Sequence, residues 1–354
     1  MKKSLLALAV LGTLTGVASA QSSVTLFGIV DANARFVKND GSKRRLSLAT
    51  DGINSSRLGF RGIEDLGGGL RAGFWLEAGI APDVGSTNVT TLSSGGTQNK
   101  FFNRRSTVSL ISGAGELRLG RDYVPTFWNQ TIFDAFGTNG LGSSLNVAII
   151  PSHVRQDNSI GYFLPPNIGG FYGQAMVAAG EGGTSSDRPG RHWGGRIGFA
   201  AGPFDVAASY HKQRFDFNNS SSLAGEESEV WNVGGSFNFG FMRLMGYFQH
   251  DELERGIDQK RFSVTGAIPM GQSEIRVGYN RAKADLGATD ATVDQIAATY
   301  QYNLSKRTAM YGTVSRLSNK DNTSLALGGG SNGGGTMRAG GDSKGFELGV
   351  RHIF

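Results

Sequence analysis

The last ten residues, Gly345 to Phe354, put Phe346, Leu348, Val350 and Phe354 on one parity and Glu347, Gly349 and Arg351 on the other. Only His352 interrupts the apolar series. Successive side chains of a strand point to opposite faces, so this pattern predicts a strand with one apolar and one polar face. The alternation recurs along the chain. In 69–80, Leu70, Ala72, Phe74 and Leu76 oppose Arg71, Gly73, Trp75 and Glu77; in 55–65, Leu58 and Phe60 oppose Arg57 and Arg61. In 204–215, Val206, Ala208 and Tyr210 oppose Asp205, Ser209 and His211; in 273–285, Ile275, Val277 and Tyr279 oppose Arg276, Gly278 and Asn280. Runs of this kind near 23–37, 55–65, 69–80, 102–112, 115–123, 155–165, 170–180, 191–201, 204–215, 228–239, 241–251, 259–269, 273–285, 291–303, 306–319 and 343–354 predict sixteen strands. Their length, about ten residues, crosses a bilayer when tilted.

The connections sort by length. Seven are short and carry Gly, Pro or Asn, among them Ser112-Gly113-Ala114-Gly115, Pro166-Asn167-Ile168-Gly169 and Ala201-Gly202-Pro203. Eight are long: 38–54, 81–101, 124–154, 181–190, 216–227, 252–258, 286–290 and 320–342. Strict alternation of the two kinds leaves both termini on the short-turn side, as an even-stranded up-and-down barrel requires. The final strand then closes antiparallel on the first, so it leaves no free edge to recruit other chains. Charge decides which face is outside. An Arg or Lys facing lipid at mid-depth costs about 2–4 kcal/mol, and several would exceed a typical folding stability of roughly 5–15 kcal/mol. The charged parity must face inward, and a ring of this size encloses water rather than a packed core.

Composition agrees with an exported β-protein. Lys2 and Lys3 precede an apolar stretch, Leu5 to Val17, and Ala18-Ser19-Ala20 fits a small-residue cleavage site, so 1–20 reads as a cleaved signal peptide and 21–354 as one domain. Cleavage leaves 33 basic and 29 acidic residues, a net charge of +4. That small excess argues against a nucleic-acid binder, which concentrates basic residues in a stripe. There is no cysteine, Gly numbers 54, and no mature segment approaches the length of apolar run that a transmembrane helix needs. The 22 Phe disfavour disorder.

Several segments resemble Gram-negative general-diffusion porins, especially their β-proteobacterial branch. They are Ser23-Val24-Thr25-Leu26-Phe27-Gly28-Ile29-Val30-Asp31, Ser56 to Gly67, Leu119-Gly120-Arg121, Asn158 to Tyr162, Leu304 to Thr308 and the terminal Arg351-His352-Ile353-Phe354. The resemblance spans the mature chain and is nearest to trimeric, anion-selective members. It implies a homotrimer in the outer membrane, in contact with lipid and lipopolysaccharide. It further implies a third long loop folded into each lumen, passive diffusion of small anions and hydrophilic solutes, and no cofactor. Phe354 would be read by the barrel-assembly machinery.

The resemblance also implies an arginine cluster on the wall at the constriction. The matching positions are Arg57, the Arg104-Arg105 pair and Arg155. Arg57 has inward parity, and Arg155 shares parity with Asp157 and Ser159, opposite Ile160 and Tyr162. Within the pair, motif position favours Arg104 and parity favours Arg105, which alternates with Thr107 and Ser109; both stay open. Glu77 and Asp134, the only carboxylate between Val124 and Val154, are expected to orient the arginines, and Arg61, Arg71 and Arg121 to extend the basic track. Guanidinium stays charged at any relevant pH and presents five donors, so it suits oxyanions. An enzyme is disfavoured: the five histidines show no metal-ligand spacing, and no Gly-x-Ser-x-Gly turn occurs. The alternative is a substrate-specific channel, which should saturate with its solute, or an adhesin acting through its external loops.

Overall fold

The computed structural model describes residues 23–87, 90–91, 97–98, 100–180, 190–215, 226–321, 323–328 and 337–354. The expected signal peptide, 1–20, lies outside them. Sixteen wall strands form one closed antiparallel barrel. They are β1 (Ser23–Asn39), β2 in two pieces (Arg45–Thr50 and Arg57–Gly67), β3 (Leu70–Ala81), β4 (Arg105–Ser112), β5 (Gly115–Tyr123) and β6 (Arg155–Phe163). Next come β7 (Phe171–Ala179), β8 (Arg191–Ala201), β9 (Phe204–Arg214), β10 (Glu227–Asn238) and β11 (Arg243–Leu253). The last five are β12 (Ile257–Met270), β13 (Ser273–Asp285), β14 (Asp290–Asn303), β15 (Thr308–Asp321) and β16 (Asp342–Ile353).

The ring closes as the terminal pattern requires. β16 pairs with β1 from Ile29–Ile353 to Asn39–Ser343, and the backbones of Gly28 and Phe354 exchange two hydrogen bonds of 3.0 Å. Apolar and polar faces are inverted relative to a water-soluble barrel. Val108, Ile160, Val233, Val314 and Leu348 are exposed on the outside, whereas Asn33, Thr107, Asn232, Thr313 and Glu347 are buried inside. His352, the residue that breaks the outer apolar series, meets Thr308 Oγ1 through Nδ1 at 2.9 Å near the short-turn end.

One wall strand departs from the expected pattern. Arg45–Thr50, placed by the sequence in the first long loop, pairs with β1 from Ala32–Thr50 to Val37–Arg45 and turns Leu46 and Leu48 outward. The chain then leaves the wall and resumes pairing at Arg57, opposite Ile29. Asp31, fully buried on the inner face of β1, holds this excursion. Its carboxylate accepts the backbone N–H of Gly52, Ile53 and Asn54 at 3.2, 2.9 and 2.9 Å and the Tyr311 hydroxyl at 2.5 Å. Three consecutive N–H groups thus find an acceptor without a ladder partner, which is what makes the break tolerable inside a wall.

Candidate functional site

The connection after β5, residues 124–154, folds into the barrel. Pro125 opens a short helix, α1 (Pro125–Ile132), at the position where a missing N–H costs nothing. The helix lies on β8, β9 and β10, and two 3-10 turns, Gly140–Gly142 and Ser144–Val147, carry the chain across β13 to β16. Inward polar residues of the wall bind the loop. Asn129 Nδ2 donates to Asn232 Oδ1 at 2.9 Å, Gln259 Oε1 accepts from Ile149 and Ile150 N–H at 2.6 and 2.9 Å, and Gln295 Nε2 donates to Leu141 O at 2.7 Å. Leu141 and Val147 bury themselves among Val37, Ala282, Val293, Leu317 and Leu327. Two wall glycines make room for loop aromatics: a Cβ on Gly234 would lie 2.5 Å from Phe133, and one on Gly278 2.8 Å from Phe136.

Docked on one side, the loop leaves an opening against the other. This space, about 490 Å³, has Phe127, Trp128, Thr131 and Asn139 of the loop along one side. The facing wall supplies Arg57, Arg104, Arg105 and Arg155 with Glu77 and Asp122, four positive groups against two negative, a balance of +2. Two acceptors organise the guanidiniums. Glu77 Oε1 accepts from Arg104 Nε at 2.5 Å and lies 3.4 Å from Arg57 Nη1, while its Oε2 accepts from Trp75 Nε1 at 3.0 Å. The Tyr123 hydroxyl oxygen accepts from Arg104 Nη2 at 3.0 Å and from Arg155 Nη2 at 2.9 Å. Arg155 also lies over the Tyr123 ring, 4.5 Å from its centroid.

The Arg104-Arg105 alternative resolves into two places. Arg104 precedes β4, its N–H bonded to Glu77 O, and its side chain joins the Glu77–Tyr123 cluster. Arg105 points to the short-turn side, 4.6 Å from the Trp75 centroid, with Nε donating to Thr107 Oγ1 at 3.0 Å. It borders both the opening and a second space of about 420 Å³ lined also by Arg61, Arg118 and Glu116. Trp75 is stacked between Arg105 and Arg61, the latter 5.1 Å from its centroid. Arg71, exposed at the short-turn end of β3, borders neither space.

Two expectations need correction. Asp134 does not meet the arginines. It is buried within the loop, where it accepts the N–H of Phe136, Thr138 and Ser144 at 2.9, 3.2 and 3.2 Å, and burial pushes its carboxyl above the ordinary value. Arg121 does not extend the track: it pairs across from Ser106 on the outward parity and ties Asn103 O and Asp157 Oδ1, each at 2.7 Å. Arg155 reaches the opening, but parity did not put it there. A bulge between Gln156 and Ser159, with Asn158 at φ 54°, breaks the alternation.

Sequence reading missed Tyr123, Asp122 and Arg118. Tyr123 is the last residue of β5, where an aromatic reads equally as an interface anchor. It also missed that His153, His192 and His211 meet beneath α1, with ring centroids 5.0 to 6.0 Å apart. Among the described residues no group has the arrangement of a metal site.

Comparison with known proteins decides the family. The Gram-negative porin model matches residues 7–322. The chain belongs to the Gram-negative porin family. Outer membrane porin protein 32 of Delftia acidovorans is 40% identical over the full length of both chains. A solved anion-selective porin from Comamonas acidovorans is 36% identical, with a TM-score of 0.81 over 94% of this chain and all of that one. The trimer form of OmpT, an outer membrane protein of Vibrio cholerae, shares the porin fold alone, with a TM-score of 0.64 at 13% identity over 94% of this chain and 99% of that one.

Proposed function

We propose that this porin lets small hydrophilic solutes and ions diffuse passively across the outer membrane, and that it favours anions through Arg57, Arg104, Arg105 and Arg155. The observation that carries the reading is the opening beside the infolded loop, bordered by four guanidiniums and only two carboxylates. Charges at a narrow point select ions, and weak multi-site binding lets them leave again. Glu77 fixes the arginines in place but cancels only part of their charge. The name of the Comamonas relative, an anion-selective porin, supports the same sign. The reading is of a channel and not an enzyme, made as a homotrimer after removal of a signal peptide at Ala20. Lipid and lipopolysaccharide surround it, and Phe354 is the residue offered to the assembly machinery.

The test is planar-bilayer recording of the purified protein in a salt gradient. The expected result is conductance that rises linearly with salt, insertion in steps of three, and a reversal potential of anion-selective sign. Replacing Arg57, Arg104 and Arg155 together by glutamine should move that potential toward zero. An unchanged potential in the triple variant would overturn the arginine assignment, and conductance saturating with one solute would favour a substrate-specific channel.

A further inference from the structure

We propose that Tyr123 is a specificity-determining residue of the constriction: it spaces Arg104 and Arg155 and donates its own hydroxyl hydrogen to a passing oxyanion. The inference rests on the anion-selective reading above and deepens it.

A phenol oxygen has two acceptor positions and one hydrogen. Both acceptor positions are taken, by Arg104 Nη2 at 3.0 Å and Arg155 Nη2 at 2.9 Å. The hydrogen has no acceptor among the described residues, and the residue borders the opening. Two guanidiniums that share one oxygen are like charges held at close range. A carboxylate in that place would hold them too, but would cancel one charge. A neutral phenol orders them and leaves the charge standing.

The ring completes the arrangement. Arg155 lies 4.5 Å over its centroid, and Phe127 and Trp128 of the infolded loop pack against it at 5.0 and 5.3 Å. Tyr123 therefore ties the basic wall to the loop that faces it across the opening. The resulting set of convergent donors, two charged forks and one neutral hydroxyl, matches an anion with several oxygens better than a spherical halide.

Tyr123→Phe separates this from a general field effect, because it changes no charge. Sulfate and chloride, each as the potassium salt, are the probes. Loss of one hydrogen bond to the ion should lower the sulfate-to-chloride permeability ratio roughly two- to tenfold, while the channel keeps its preference for anions over cations. Arg155→Lys, which keeps the charge but loses the fork and the flat face over the ring, should shift the ratio the same way. It decides the matter if the Tyr123→Phe protein does not fold, as judged by the heat-modifiable mobility of the barrel.

An unchanged ratio in folded Tyr123→Phe, alongside a glutamine triple variant that has lost anion preference, overturns the role of Tyr123 and leaves the arginine reading standing. A triple variant that keeps its anion preference overturns both.

Discussion

Glu77 offers the sharpest test of how charge is balanced at the opening. Its carboxylate accepts from Arg104 at 2.5 Å and from Trp75 at 3.0 Å and faces Arg57 at 3.4 Å. Glu77→Gln keeps the size and a carbonyl acceptor but removes the charge, so the groups bordering the opening go from +2 to +3. Two unit charges interact by about 332/(ε·r) kcal/mol; for an anion about 7 Å from the carboxylate in a wet lumen of effective ε about 40–80, the lost repulsion is about 0.6–1.2 kcal/mol. That is roughly a three- to eightfold rise in anion occupancy. Cations lose the same attraction, so the permeability ratio should move by at least this much. The measurement is the reversal potential across a potassium chloride gradient, near about 0.1 M, where the screening length is about 10 Å, and again near about 1 M, where it is about 3 Å. The shift should be large at the lower salt and shrink at the higher. A folded Glu77→Gln barrel whose anion preference is unchanged or weaker at low salt would refute the reasoning, because Glu77 would then act by holding the arginines in place and not by offsetting their charge.

Three further outcomes follow from the same geometry. Asp31→Asn turns an amide N–H₂ toward donors that now converge on a carboxylate, and should cost about 1–3 kcal/mol; the temperature at which the barrel loses its compact mobility should fall, and an unaltered temperature would remove Asp31 from the support of the break in β2. Leu348→Arg places a charge on the exposed apolar face of β16 and should cost about 2–4 kcal/mol in a urea titration in lipid vesicles, a loss that vanishes if that face is not in hydrocarbon. His153, where the infolded loop returns to the wall, has its pKa pushed down by burial to about 4 from an ordinary 6.5. The docked loop therefore holds this histidine neutral and the undocked loop takes up the proton first, so docking is undiminished above about pH 6.5 and weakens as pH falls toward 4. Closing events in single-channel records should become more frequent across that window, and His153→Gln should flatten the dependence; an identical slope in the variant would exclude His153 as its source.

How far the sequence alone could be read depends on what each feature needs. The barrel needs only alternation, and Phe74, Leu76, Trp75 and Glu77 on β3 already declare which parity meets lipid and which meets water. The first piece of β2 contributes only Leu46 and Leu48 to the outer face, too few to stand out from the loop that contains them. The break beside it is written in Asp31, a carboxylate on the lumen parity, but its partners lie at 52–54 and at Tyr311, and no local pattern names them. Parity also fails where strands end, and the arginine-lined opening is built there. Arg104 precedes β4, Tyr123 ends β5, and Arg155 begins β6 ahead of a bulge, so each side chain is aimed by a contact instead of by the pleat. Motif position found two of the three because it registers where a residue sits without asking which way the strand would turn it. Asp134 misled for the opposite reason. As a lone acid on the loop it looked like a partner for the arginines, but the turn that follows it presents the N–H groups of Phe136 and Thr138, the second 3-10 turn presents that of Ser144, and these three claim the carboxylate first. At this opening, then, backbone demand decides which acids face the arginines: Asp134, spent inside the loop, is not among them, and the balance stays at +2 instead of +1.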